Sequence, residues 1–210
     1  MKTTDLISVL VADIRPAGAA LSRKLILTVL VGAILAFIGF LIELGVRPDI
    51  GNALVTWRFN AKLAVVAAMM ALGLVECIRL CRPTAKAWGM PLWGSAILLG
   101  IAALTEMVMS PSASWGARLV GSNSVICLTA IPLLSIAPLA ALLYAMRSGA
   151  PAAPFVAGGM AGFAAATIAA GIYALHCTDD SPLFVAAWYS AAILIVTILG
   201  ALLGRKVLRW

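Results

Sequence analysis

Apolar residues run along this chain in six long blocks, and short stretches rich in Pro, Gly and charged residues separate them. The blocks cover about residues 25–44, 62–80, 91–109, 124–146, 153–175 and 183–203. Each block holds about 20 residues, the length with which an apolar helix crosses a bilayer core of about 30 Å. The stretches RPDIGN, CRPTAK and MSPSASWG between them have the composition of turns. The pattern predicts an all-α fold, a polytopic membrane protein with six transmembrane helices.

The amino-acid composition excludes a soluble globular protein. Hydrophobic residues make up 63% of the 210 residues, charged residues make up only 11%, and the mean hydropathy is +1.09. Six crossings leave no room for a soluble catalytic domain. We divide the chain into a short cytoplasmic N-terminal helix within residues 1–24 and a transmembrane domain in residues 25–210. The first block follows two cations, as in a signal peptide, but it is long and lacks a cleavage pattern, so we expect it to be retained.

The distribution of cations predicts the orientation, because Lys and Arg beside transmembrane helices are enriched on the cytoplasmic side. With the N-terminus inside, eleven of the 15 cations lie in cytoplasmic segments. The other four are Arg47, Arg58, Lys62 and Arg118. We therefore predict a multi-pass protein with both termini in the cytoplasm. The topology and contact with the anionic lipid bilayer account for the net charge of +7, so no direct nucleic-acid partner is expected.

The segment MKTTDLISVLVADIRPAG predicts a short amphipathic helix before the first block. Thr4 or Asp5 can cap this helix, and Pro16 ends it. Its apolar face consists of Leu6, Ile7, Leu10, Val11 and Ile14. Two interpretations stay open. Either the helix lies on the inner leaflet, although its polar face is poor in Lys and Arg, or Asp5 and the apolar face form a binding site for a protein partner.

In this orientation the four cysteines form two pairs on opposite sides of the membrane, which excludes a single four-cysteine metal site. Cys77 and Cys81 lie at the inner end of the second helix, and in a reducing cytoplasm we interpret them as small apolar packing residues. Cys127 lies at the outer start of the fourth helix, and Cys177 lies in the outer loop after the fifth. Three interpretations stay open for this outer pair: a structural disulfide, two unrelated buried thiols, or a sensor of oxidants or soft metals.

The stretch HCTDD surrounds Cys177 with polar residues. A protonated His176 would lower the pKa of the thiol and favour the reactive thiolate, and it is a candidate third ligand for a soft metal. Asp179 and Asp180 would raise that pKa. For these two aspartates we favour a solvated loop, or capping of the sixth helix by DDSP. The metal-binding residues, if the signal is a metal, are otherwise unknown.

Two further patterns concern helix packing. Small residues recur every four positions along the fifth helix, at Gly158, Gly162, Ala166 and Ala170. Such a stripe lets another helix approach closely, and that helix belongs either to this chain or to a second copy, so no oligomeric state follows. Pro132 and Pro138 predict a kink or local unwinding of the fourth helix.

Common catalytic and metal-binding motifs are missing, since the GxSxG, Walker, HExxH and CxxC patterns are all absent. We therefore expect neither enzymatic activity nor a cofactor. The main alternative is a membrane thiol oxidoreductase, which usually needs two outer cysteine pairs where this chain has at most one. A small-solute transporter would need charges near the middle of the membrane. Glu43, Glu76 and Glu106 lie near helix ends, where we expect at least two of them to extend to the interface.

The N-terminal DLISVL…IRPAG, the six apolar blocks, the cysteine that opens the fourth block and the motif LHCTDDSP…WY together carry a resemblance. The chain resembles the negative regulator of sigma F (NrsF) family of polytopic anti-sigma factors over nearly its whole length. The resemblance implies a bacterial inner-membrane protein that binds an extracytoplasmic-function sigma factor and releases it under oxidative or metal stress. Two outward-facing cysteines matter for signalling in that family, and Cys127 and Cys177 match them. Cys77 and Cys81 match nothing in the family.

Overall fold

The computed structural model describes residues 17–82, 84–87 and 89–209, and all regular elements in these ranges are helical. Six helices are long and apolar enough to cross a membrane. They are α1 (Ala17–Glu43), α2 (Trp57–Leu80), α3 (Met90–Met109), α4 (Ser124–Met146), α5 (Pro154–Tyr173) and α6 (Pro182–Val207). The predicted all-α fold with six spanning helices is confirmed. The predicted partner-binding residues Asp5 to Ile14 lie outside the described residues.

Two of these helices begin earlier than the apolar pattern indicates. Helix α1 is already helical from Ala17, within the segment that we assigned to the cytoplasmic part. Helix α2 begins at Trp57 and not at Lys62, because the Thr56 hydroxyl accepts a hydrogen bond from the Phe59 amide and caps the helix. Short helices at Ile50–Ala53, Ser112–Ser114 and Trp115–Val120 lie between the spanning helices. The earlier start of α2 places Lys62 inside a spanning helix.

Helix α5 lies at the centre of the bundle and packs most closely on α6. A Cβ atom on Gly158 would lie 2.4 Å from the carbonyl oxygen of Gly200, and one on Gly162 would lie 2.4 Å from that of Val196. Both distances are far below van der Waals contact, so only glycine permits this approach. The predicted small-residue stripe is confirmed as a packing surface, and its partner is α6 of the same chain.

Helix α4 is broken at Ser135, which joins the segments Ser124–Leu134 and Ile136–Met146. Pro138 has no N–H group to offer to the carbonyl of Leu134, so the regular hydrogen-bond ladder is interrupted at this point. The buried Ser135 hydroxyl donates to the Ile131 carbonyl at 2.6 Å. The kink predicted from the prolines is confirmed. After the break the second segment packs on α1, where Gly32 meets the backbone of Pro138.

Loops from distant parts of the chain meet at each end of the bundle. At one end, the Arg47 amide donates to the Leu175 carbonyl at 3.0 Å. At the other end, the Ala150 amide donates to the Cys81 carbonyl at 3.1 Å. We call the first the Asp180 end and the second the Ser148 end. The four cations Arg47, Arg58, Lys62 and Arg118 belong to segments at the Asp180 end.

Candidate functional site

The two cysteines that the sequence singles out lie at the same end of the bundle. Cys127 is in the first turn of α4, and Cys177 is in the 174–181 loop between α5 and α6. Both side chains are completely buried, and both are free thiols. Cys127 lies within electrostatic range of the Cys177, Lys62 and Asp179 side chains, so the two thiols share one environment. A disulfide tolerates a Cα separation of about 7 Å, and that the Cα atoms of Cys127 and Cys177 lie within this distance stays a prediction.

A buried network of ion pairs holds the backbone of Cys177. The Lys62 ammonium is inaccessible to solvent and donates to the Cys177 carbonyl at 3.0 Å and to the Asp180 carboxylate. The Arg47 guanidinium donates to the same carbonyl at 3.2 Å and to the other oxygen of Asp180 at 2.8 Å. Two cations therefore share two acceptors on one loop. This network joins α2 and the α1–α2 connection to the Cys177 loop.

Asp49 is the second carboxylate of this network and balances the charge of its two cations. Asp49 accepts two hydrogen bonds from Arg47, each 2.7 Å long. These bonds raise the pKa of the Arg47 guanidinium above its ordinary value and lower the pKa of Asp49. Lys62 and Arg47 are thus matched by Asp49 and Asp180. A buried ion with matched partners is tolerated, whereas removal of one partner leaves a charge that nothing compensates.

Asp179 caps the helix that carries Cys127. Its carboxylate accepts from the backbone amides of Ser122 at 2.9 Å and Asn123 at 2.8 Å, directly before α4 begins at Ser124. A negative charge at a helix N-terminus is favoured by free N–H groups and by the helix dipole. The loop of Cys177 is therefore attached to α4. Gly121, with a φ of +59°, leaves room for this approach, since a Cβ atom there would lie 2.8 Å from the Asp179 carboxyl carbon.

The sequence favoured a solvated loop or capping of the sixth helix by DDSP, and the structure gives that cap to Ser181 and other partners to the two aspartates. Ser181 caps α6, because its hydroxyl accepts from the Leu183 amide at 3.3 Å. Asp179 caps α4, and Asp180 pairs with two cations. The motif residues thus connect the Cys177 loop to two other segments, and the sequence did not indicate which.

The His176 side chain contacts the chain after α1 and the Tyr173 ring. Its Nδ1 atom lies 3.0 Å from the Gly45 carbonyl oxygen, and its ring packs against Tyr173. Burial raises the pKa of the Cys177 thiol, and the cation that opposes this effect is Lys62. In the part of the chain that the structure describes, no three His, Cys, Asp or Glu side chains are placed to hold a metal ion. In this arrangement of the described residues, His176 is not grouped with other ligands, and its role as a third metal ligand stays a prediction.

Two tyrosines enclose Cys177. Tyr173 and Tyr189 are fully buried, their ring centroids are 5.9 Å apart, and both hydroxyls lie beside the Cys177 thiol. Neither hydroxyl has well-formed hydrogen-bond geometry with any partner in the described ranges. Tyr189 belongs to the π-helical segment Val185–Tyr189, and the adjacent Trp188 donates to the Leu119 carbonyl at 2.8 Å. Of the WY pair of the motif, Tyr189 thus lies beside the cysteine, and Trp188 fixes α6 to the 110–123 connection.

A second buried carboxylate at this end corrects another expectation. Glu106 is completely buried and pairs with Arg58 at 2.9 Å and Arg118 at 2.7 Å. Glu76, at the other end of α2, is 2% exposed and pairs with Arg79 at 2.6 Å. The prediction that at least two of the three glutamates extend to the interface is wrong, since only Glu43 is exposed. Glu76 and Glu106 can be buried because each forms an ion pair with arginine, which compensates for the loss of hydration.

Helix α4 reaches the base of α1 at the Ser148 end. The Lys24 ammonium donates to the Ser148 hydroxyl and lies 4.7 Å from the centroid of the Tyr144 ring.

Cys77 and Cys81 are buried at this end, and burial raises the pKa of Cys81 to about 11. This agrees with their interpretation as packing residues, because a buried cysteine behaves as a small hydrophobic residue.

Comparison with known proteins identifies relatives over the full length. The family model described as "Negative regulator of sigma F" (NrsF) matches residues 10–210. The chain is 35% identical over 217 residues to the "Probable anti-sigma-F factor NrsF" of Azospira oryzae, and the alignment covers 100% of both chains. It is 32% identical to the "Anti-sigma-F factor NrsF" of Caulobacter vibrioides, again over 217 residues and 100% of both chains. No solved structure matches the chain.

Proposed function

The chain belongs to the negative regulator of sigma F family, and from this premise we propose that it is a membrane-bound anti-sigma factor. It holds an extracytoplasmic-function sigma factor at the bacterial inner membrane and thereby keeps it from RNA polymerase. The binding site is the apolar face formed by Leu6, Leu10 and Ile14 with their neighbours. Release follows when Cys127 and Cys177 change their chemical state under oxidative or metal stress. The protein regulates and does not catalyse.

We propose an orientation of the protein in which the Ser148 end lies in the cytoplasm. Among the described residues, nine cations belong to segments at that end: Arg23, Lys24, Arg79, Arg82, Lys86, Arg147, Arg205, Lys206 and Arg209. Four belong to the Asp180 end, which agrees with the enrichment of cations on the cytoplasmic side. The Cys177 loop then faces the oxidising compartment, and the N-terminal segment meets the sigma factor inside.

The observation that carries the sensor proposal is the attachment of the Cys177 loop to α4 through Asp179, with Cys127 one turn further along that helix. An oxidant of the peroxide class removes two electrons and two protons from the two thiols, forms the disulfide and leaves as water. A soft metal instead displaces both thiol protons and bridges the sulfurs. Either event draws the loop and the start of α4 into a new arrangement. The Lys62 and Arg47 bonds to the loop resist this movement until the signal arrives.

Transmission across the membrane uses α4. The helix runs from Cys127 past the break at Ser135 to its last turn beside Ser148, whose hydroxyl binds Lys24 on α1. Lys24 lies ten residues after Ile14, the last residue of the proposed sigma-binding face. A shift of α4 therefore acts on the base of the segment that holds the sigma factor. Signalling between two sites needs such an element with two arrangements.

Capture of the sigma factor tests this proposal. The tagged chain is co-expressed with its candidate sigma factor, extracted in mild detergent and recovered by its tag, with and without oxidant treatment of the cells. We expect one sigma factor per chain at rest and loss of the sigma factor after treatment. A chain that inserts normally but recovers no sigma factor at rest would contradict the anti-sigma function itself, whereas capture that oxidant leaves unchanged would contradict only the sensor.

A further inference from the structure

A long apolar groove opens on the membrane-facing surface where α4 is broken. The segment before Ser135 packs against α6, whereas the segment after it packs mainly on α1 and contacts α6 only sparsely. The resulting cavity measures about 580 Å³ and runs from Pro132 to Arg147, with Leu199 and Leu203 of α6 as the opposite wall. The proline break thus creates both the kink and the groove.

The chemistry of the groove is apolar along its length and cationic at one mouth. At the end of the groove that lies farthest from Arg147, the Ser135 hydroxyl already donates a hydrogen bond to the Ile131 carbonyl. The Arg147 side chain at the Ser148 end is exposed, and no ion pair for it is found among residues 17–82, 84–87 and 89–209. An occupant that fits has an apolar body and one anionic group at its end.

The dimensions fit the hydrocarbon of one leaflet. From Pro132 to Arg147 the helix rises about 22 Å at about 1.5 Å per residue. Half of a bilayer core of about 30 Å is about 15 Å, which is close to the rise of about 18 Å from Arg147 to Ser135, so an acyl chain below a phosphate on Arg147 extends approximately to the break. Both walls of the groove belong to spanning helices, so the surrounding solvent is lipid.

We propose that this groove binds one anionic phospholipid, with an acyl chain between α4 and α6 and the phosphate group on Arg147. The surrounding electrostatics favour an anionic headgroup, since nine cations and one described carboxylate, that of Glu76, belong to the Ser148 end. Arg147 is the only one of these cations that lines the groove. The proposal is independent of sigma-factor binding, because it concerns the bundle alone.

Native mass spectrometry of the purified full chain tests the headgroup. The protein in detergent is mixed with phosphatidylglycerol or phosphatidylcholine of identical acyl chains, and the bound fraction of each is measured. Since one basic residue near a membrane surface favours anionic lipid by about fivefold, we expect about fivefold stronger retention of phosphatidylglycerol. Arg147→Gln should abolish this preference. Arg205→Gln is the matched control, because Arg205 lies over the Phe155 ring and outside the groove, and it should keep the preference.

A second variant tests the groove itself. Ala140→Trp places a large ring in the cavity and should remove both lipids from the mass spectrum, whereas Ala96→Trp on the exposed face of α3 should remove neither. The proposal is overturned if Arg147→Gln keeps the phosphatidylglycerol preference, or if Ala140→Trp retains lipid as the unaltered chain does. Equal retention of both lipids by the unaltered chain also overturns it.

Discussion

The ammonium group of Lys62 lies 3.0 Å from the carbonyl oxygen of Cys177, although 115 residues separate them in the sequence. This bond places a buried cation next to the backbone of the proposed sensor cysteine and, through Asp180, adds a salt bridge to the same loop. The Cys177 loop is therefore fixed at its backbone, while its thiol forms no disulfide and donates a hydrogen bond to the Asp179 carbonyl oxygen at 3.7 Å. Such an arrangement keeps the loop in one position at rest, with the thiol buried and, because burial raises its pKa, protonated.

Replacement of Lys62 should destabilise the protein strongly. Lys62→Met removes one of two cations from the partly buried Asp180 carboxylate and leaves the Cys177 carbonyl with one donor, so we expect a loss of about 2–3 kcal/mol in the free energy of unfolding. Thermal or denaturant unfolding in detergent measures it. Lys86→Met is the matched control: Lys86 is exposed, and a change of at most about 0.5 kcal/mol is expected. A loss for Lys62→Met as small as that of the control would contradict the network.

The topology can be checked with reporter fusions. Fusions after Arg82, Arg147 and Trp210 should behave as cytoplasmic, and fusions after Asn52, Ser114 and Asp180 should behave as exported. The reason is the excess of cations at the Ser148 end. Alkaline phosphatase activity and green fluorescence report the two outcomes in cells. A cytoplasmic signal from the Asp180 fusion would remove the basis for an outward-facing sensor.

The sequence predicts the sigma-binding surface, and charge substitutions test it. Leu6→Asp with Leu10→Asp puts two charges on the apolar face, so sigma-factor capture should be lost while membrane insertion is retained. Ser8→Asp with Ala12→Asp is the matched control, because helical periodicity places these two positions on the opposite face. Capture that survives in the first variant would locate the binding site elsewhere, and loss in both would indicate a nonspecific effect.

The reactivity of Cys177 should reflect its burial. Because desolvation raises the pKa of this thiol, less thiolate is present at pH 8 than for an exposed cysteine, whose pKa is about 8.5. In a Cys127→Ser chain, a maleimide should therefore label Cys177 at least about tenfold more slowly than a cysteine introduced at the exposed Ser112. The rate should rise with pH over the range above pH 8. Equal labelling rates at pH 8 would contradict the buried, protonated thiol.

The sequence predicted the elements of this fold well but not the contacts between them. Six apolar blocks define the helices because a bilayer imposes their length, and the prolines of α4 predict its break. The partner of Asp179 is the N-terminus of α4, more than fifty residues away in the sequence, and the partners of Asp180 lie further still. Hydrogen bonds between distant segments leave no periodic pattern, so local patterns alone could not find Lys62. A lysine just inside an apolar block was the only signal, since such a charge needs a buried partner.

The sensor proposal requires Cys127 and Cys177 to act as a pair. If the two thiols form one unit, Cys127→Ser and Cys177→Ser should each abolish most of the induction of a sigma-dependent reporter by oxidant, and the double variant should be no worse than either single one. The physical reason is that neither a disulfide nor a metal bridge forms with one sulfur, so the second substitution has nothing left to remove. Cys77→Ser is the matched control: its thiol is also buried, but it lies near the Ser148 end of α2 and should leave induction intact. Full induction in both single variants, with normal insertion and sigma-factor capture, would show that the signal enters the protein by another route.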